Sequence, residues 1–389
     1  MELAEEKPIR KDVMQPKAAR NIPIEALRLI AVAGIAVFHT FQWTFQATCA
    51  GLPEYVPLAA FPHSGVLGFI NLLGCWANEV FFMISGYFLI ASAARAWDGG
   101  ATWRSQMQRT AQRLGKVVMP TAFYCLVALA WSTVVSTIPD VTLSTHYWYT
   151  LGLEFIWVYA ATVFMAPWFG LAKSRLSQKS YTTTVIAVGI LAFVVNGYLA
   201  AMSTTSAGDF SWLQKLMSAV TYVIAFLIGG LLRDVTDAMD SDRASALGMR
   251  SLAAVLVLAT ILEGALSFTG NLTAMATLSY KSTSLISFAL AAASLLFAAT
   301  RRSTSGNPRT AGVIVTLSTA TLGFYVMQSL TSSLWRPVFN TLLANTLVSQ
   351  NSLAAICIIT GTVISIVFAL ALLIIDAVRS LIVRKLKRQ

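Results

Sequence analysis

Charge is scarce in this sequence. Only 12% of its 389 residues are charged against 56% hydrophobic, and it contains three histidines and four cysteines. So little polar surface excludes a water-soluble globule of this size and points to a polytopic membrane protein. The cysteines Cys49, Cys75, Cys125 and Cys357 lack metal-ligand spacing, and no metal site is expected. Cys49 and Cys75 could lie near one surface and pair, but free membrane cysteine is the expected state. No polar link is long enough to fold as a soluble domain, and no internal repeat is visible, which argues against a solenoid or an inverted-repeat transporter. Residues 1–22 have neither an apolar core nor a small-residue cleavage site, so the first apolar span is expected to be an uncleaved anchor.

What the chain does have is apolar stretches of about 20 residues, each long enough to cross a hydrocarbon core about 30 Å thick. They cover approximately 24–46, 73–94, 117–137, 146–168, 181–202, 214–232, 250–270, 283–300, 311–333 and 352–376. The expected fold is an all-α polytopic membrane protein, a bundle of about ten transmembrane helices. Residues 1–22 form a cytoplasmic tail, 23–376 the membrane domain and 377–389 a basic cytoplasmic tail. Placing the N-terminus inside leaves only Lys215, Lys281 and Arg336 of the 28 Lys and Arg on outer segments. That asymmetry predicts an N-in, C-in, multi-pass protein of the cytoplasmic membrane. The net charge of +11 then reflects attraction to anionic lipid, making the bilayer a partner and nucleic acid not one.

Two ionisable groups interrupt the first span. In "RLIAVAGIAVFHT", Arg28 and His39 are separated by eleven residues, which at about 100° each is within roughly 20° of whole turns and spans about 16 Å. They share a helix face. Arg28 by itself also reads as a snorkelling anchor. His39 is costly at its depth unless it faces a protein interior or wet cavity, so function is its default reading, against a structural interhelix hydrogen bond. Measured from span centres, His39, Glu79, Glu154, Glu263 and Gln328 are expected in one layer, hence around one cavity. A neutral imidazole there can take a proton from a hydroxyl, with Glu79 orienting the ring. Glu154 and Glu263 read equally well as hydrogen-bonded structural carboxyls.

The segment "IEALRLIAVAGIAVFHT" resembles the first helix of the acyltransferase 3 family, integral membrane O-acyltransferases marked by an Arg, ten residues and a His. "NEVFFMISGYFLI", Asn78 to Ile90, resembles the family's second-helix motif, and "RTAQRLGKVVMP", Arg109 to Pro120, the basic segment leading into its third helix. "YWYTLGLEFIWVYAATVFMAPW" has the Trp-Tyr start, Trp148 and Tyr149, and later Pro of the fourth-helix region, with wider spacing. "FLIGGLL" resembles a common Gly-Gly-ended helix. "TLGFYVMQSL" is similar to the late motif, with Gln328 where His is frequent; Gln can donate and accept hydrogen bonds but carries no proton at neutral pH.

The resemblance implies transfer of an acyl group, commonly acetyl, from cytoplasmic acyl-CoA to a sugar hydroxyl. Acyl-CoA is then a co-substrate rather than a bound cofactor. The acceptor is a cell-envelope or exported glycan or a lipid-linked saccharide, and glycan-assembly or export proteins are further partners. His39 and Glu79 are the catalytic candidates. Phosphates of the donor need bidentate cations, for which Arg28, Arg109 and Arg113 are placed, with hydroxyls from Ser85 and Tyr87. Glu154, Glu263, Gln328, Trp148 and Tyr149 are assigned to the acceptor or the cavity. Rival readings are a proton-coupled transporter or flippase, and a non-catalytic acyl-CoA-binding member of the family.

Overall fold

The computed structural model describes residues 20–134, 153–204, 210–279, 283–301, 307–348 and 354–386. Among these every α or β element is a helix. They are α1 (Ile22–Cys49), α2 (Val56–Ala59), α3 (His63–Asp98), α4 (Trp103–Val134), α5 (Glu154–Arg175), α6 (Gln178–Thr204) and α7 (Ser211–Ala238). Then come α8 (Ser241–Phe268), α9 (Leu272–Leu278), α10 (Leu285–Thr300), α11 (Pro308–Ser318), α12 (Thr321–Leu330), α13 (Ser332–Val348) and α14 (Ala354–Leu386). Short polar residues set several starts. Asn21, Asp240, Ser284 and Asn307 each accept a first-turn backbone N–H through the side chain, satisfying a donor the helix leaves open.

Among the described residues, eight helices are long and apolar enough to cross a membrane: α1, α3, α4, α5, α6, α7, α8 and α14. The pair α11 and α12 makes a ninth only if counted as one span bent by 42°, and α10 has 16 residues. The expected ten spans therefore reduce to eight full-length helices, one broken pair and one short helix. Two expected boundaries also shift. Helix α3 starts ten residues before its apolar stretch, at His63, and α14 continues to Leu386, so the division placed after residue 376 falls inside a helix. Residues 334–348, read from sequence as part of a connecting link, fold within α13.

Helix α3 is the most enclosed element, with 72% of its apolar window buried. Missing side chains explain how neighbours come so close. A Cβ on Gly86 would overlap the Phe226 carbonyl of α7, one on Gly229 of α7 would overlap Met83 backbone, and one on Gly170 of α5 would meet Ala93. Helix α1 uses the same device. Phe38 lies over Gly74 of α3, Trp76 approaches Gly34 and Phe41 lies over Gly361 of α14. Thr40 also accepts a hydrogen bond from Ser365 at 2.8 Å. In a membrane this packing, with interhelical hydrogen bonds, replaces the hydrophobic drive between helices. All four cysteines are free.

Gly86→Ala is expected to cost about 1–3 kcal/mol through overpacking against backbone that cannot turn aside. Gly264→Ala, where a Cβ meets nothing within 4 Å, should leave stability unchanged or slightly raised. Thermal unfolding in detergent compares the two.

Candidate functional site

Five helices converge on an aromatic cavity of about 120 Å³. Ile35 of α1, Phe81 of α3 and Val117 of α4 line it, with Phe155, Ile156 and Tyr159 of α5 and Thr321, Leu322, Phe324 and Tyr325 of α12. Phe155 organises the wall: its ring is 4.5 Å from that of Tyr325, 5.2 Å from Phe82 and 5.8 Å from Tyr222. The polar edge belongs to Tyr159, whose hydroxyl lies 2.9 Å from Ser85 Oγ, while Ser85 donates to the Phe81 carbonyl at 2.8 Å.

Helical periodicity extends this cavity in two directions. Ile35 stands seven residues after Arg28 and four before His39, on the same stripe of α1, so the cavity wall lies about 10 Å from one and 6 Å from the other along the axis. On α4, Val117 follows Arg113 by four residues and Arg109 by eight, which brings both cations toward the Arg28 side. Arg28 pairs with Glu25 at 3.0 Å, and Glu25 also meets Arg20 at 3.9 Å. Arg113 is half-buried and donates to Ser92 at 3.4 Å, whereas Arg109 is exposed. On α12, Gln328 follows the lining residue Phe324 by one turn. It is 2% exposed, its carbonyl accepts from Trp335 Nε1 at 3.0 Å, and its side-chain Nε2 has no hydrogen-bond partner.

The single layer expected from sequence does not form. Phe38, beside His39, contacts Gly74; Glu79 lies five residues farther along α3 toward the Arg28 end, and the Glu263 carboxyl sits against Gly68, six residues the other way. Eleven residues of α3, about 16 Å, thus separate the levels of the two carboxyls. The reason is the early start of α3, which moves its midpoint from between residues 83 and 84 to between residues 80 and 81, close to Glu79. Glu79 is fully buried, with neither oxygen hydrogen-bonded, and it does not orient His39. That place is taken by Gln42, whose Oε1 is 3.4 Å from His39 Nδ1, and by Arg336, whose Nη2 is 3.4 Å from the same atom.

The remaining candidates divide. Ser85 joins the cavity edge. Tyr87 turns to α7, with its hydroxyl 2.9 Å from Thr236 Oγ1 and the Arg233 guanidinium 5.1 Å from its ring centre. Glu154 is exposed at the first residue of α5, beside Phe155. Glu263 is 1% exposed, and its carboxyl oxygens are without hydrogen-bond partners. Trp148 and Tyr149 lie outside the described residues. No metal-binding group occurs among the described residues.

Two residues escaped the sequence reading. Arg336 was counted only as an outer cation. Asp376, the last residue of the stretch 352–376, was not singled out; it is 2% exposed, accepts from Tyr124 at 2.8 Å and Arg379 Nε at 2.7 Å, and fills the space left open by Gly323. It braces α4, α12 and α14 behind the cavity. Asp376→Ala, leaving Arg379 uncompensated, should destabilise by about 3–5 kcal/mol, whereas Tyr124→Phe should cost about 1 kcal/mol. Detergent unfolding midpoints would rank the two variants.

Comparison with known proteins agrees with this architecture. The family model described as an acyltransferase domain, that of acyltransferase 3, matches residues 21–372, which takes in α1 with Arg28 and His39, the cavity helices and most of α14. No curated protein and no solved structure shows a significant match. The chain is a multi-pass membrane member of the acyltransferase 3 family.

Proposed function

We propose that the protein transfers an acyl group, most simply acetyl, from acyl-CoA to a hydroxyl of a glycan or lipid-linked saccharide. The observation that carries this reading is the stripe Arg28–Ile35–His39, which runs past the aromatic cavity with a cation at one end and an imidazole at the other. Donor phosphates bind at the Arg28 and Arg113 end, where guanidinium groups offer paired donors. The pantetheine arm follows the cavity and brings the thioester toward His39. The bias of Lys and Arg supports a donor end and both termini in the cytoplasm, and with them the cytoplasmic membrane as the location.

In this scheme His39 accepts the proton of the acceptor hydroxyl while its oxygen attacks the thioester carbonyl. The C–S bond then breaks, CoA leaves as thiolate, and the proton on His39 is returned to it. The developing oxyanion needs a donor in a dry setting. Gln328 Nε2 supplies a buried N–H that has no other partner and does not titrate. Gln in place of the more frequent His is thus compatible with turnover.

Purified wild type, Arg28→Ala, Arg113→Ala and His39→Ala test the proposal by acetyl-CoA calorimetry and slow thioester hydrolysis. Each Arg variant should weaken binding roughly 10- to 100-fold, the worth of about 1.4–2.7 kcal/mol of charged hydrogen bonding. His39→Ala should bind donor and lose at least about 100-fold in hydrolysis. A folded wild type without affinity for acetyl-CoA or longer acyl-CoAs would overturn the assignment and leave the buried carboxyls Glu79 and Glu263 to be explained by proton-coupled transport.

A further inference from the structure

Arg336 stands where an ordinary base would want no cation. It projects from α13, one of three cations that the sequence places on outer segments, and its Nη2 lies 3.4 Å from His39 Nδ1. No carboxylate pairs with it among the described residues. Its other neighbour is the ring of Trp335, 5.6 Å from the guanidinium carbon, and its side chain is exposed. A guanidinium only donates, so contact with Nδ1 requires the lone pair there and places the imidazole proton on Nε2. In the amide orientation that turns Oε1 to Nδ1, also at 3.4 Å, Gln42 accepts, and so favours the proton on Nδ1 and leaves the lone pair on Nε2. One nitrogen cannot serve both. The two neighbours select opposite tautomers, and only the one favoured by Gln42 leaves Nε2 free to act as a base.

We propose that Arg336 binds an anionic group of the acceptor saccharide and, until it does so, holds His39 in the tautomer whose Nε2 is already protonated. A carboxylate or phosphate on the acceptor offers the guanidinium a bidentate partner better than an imidazole lone pair. Arg336 turns to it, Nδ1–H donates to Gln42, and Nε2 becomes free for the hydroxyl proton. The bound anion also offsets the guanidinium charge beside the imidazolium that then forms. Arg336 is accordingly a positioning and specificity residue, and the substrate class it selects is acidic glycans. The inference rests on the reading of His39 as the base.

The test reads the tautomer directly. With three histidines in the chain, ¹⁵N-histidine labelling gives few signals, and His39→Ala assigns that of His39. Wild type and Arg336→Lys should show an unprotonated Nδ1; Arg336→Met, which has no donor, should show it protonated. D-Glucuronate and D-glucose 1-phosphate are then titrated against D-glucose. A shift of the wild type toward protonated Nδ1 with either anion, absent with glucose and absent in Arg336→Met, supports the proposal, and the anion that acts names the source as carboxylate or phosphate. The same tautomer in wild type and Arg336→Met would overturn the switch. No anion response in wild type, or an equal response in Arg336→Met, would overturn the anion site. Acetyl-CoA affinity measured on the same samples reports separately on the donor reading, so the two can fail independently.

Discussion

Close approach of helix backbones at glycine is the constraint on which the rest of this structure depends. Apolar side chains are as comfortable in lipid as in protein, so the bundle coheres where surfaces fit and polar groups find each other. Gly86, Gly170 and Gly229 let α5 and α7 reach the backbone of α3, while Gly34, Gly74 and Gly361 set α1 between α3 and α14. Because α1 is held on both sides, the stripe carrying Arg28 and His39 has one direction left to face. That direction is the cavity lined by Ile35 and closed by α4, α5 and α12.

The candidate ionisable residues Arg28 and His39 lie beyond the margins of that cavity rather than within it. Its wall is aromatic and aliphatic apart from the hydroxyls of Thr321, Tyr159 and Tyr325, and no charged residue lines it. An arrangement of this kind suits a long substrate with a polyanionic head and a reactive tip, since the head can stay near the headgroup region while the tip is drawn into a water-poor interior, where electrostatic contacts act more strongly. The break between α11 and α12 belongs to the same logic. A straight helix would continue past the cavity, whereas the 42° bend at Thr319 and Ala320 brings Phe324 and Tyr325 against it. Asp376 keeps the bent segment in place by occupying the gap at Gly323 and tying α14 to Tyr124 of α4.

Much of this was legible in the sequence. The all-helical membrane class follows from composition, because a chain so poor in charge cannot dissolve its own surface and must satisfy its backbone within each helix. The shared face of Arg28 and His39 follows from 3.6-residue periodicity, which needs no knowledge of neighbours. The apolar stretches also located α1, α6 and α7 within about six residues at each end. Each of these is a local property, set by residues close together in the chain.

Depth and partnership are not local. The layer of carboxyls expected around His39 dissolves because α3 is ten residues longer at its start than its apolar stretch, and no local signal says how far a helix extends beyond the hydrophobic part. Hydropathy likewise hides α13, a helix of mixed polarity that lies against α1 and α14, and with it the approach of Arg336 to His39 across 297 positions of sequence. The sequence by itself determined what each helix can offer: a cation, an imidazole, a gap where a glycine stands. Only the tertiary structure decided that Gln42 and Arg336, rather than Glu79, meet the imidazole, because that depends on how far each helix slides before its glycines find a backbone to lie against.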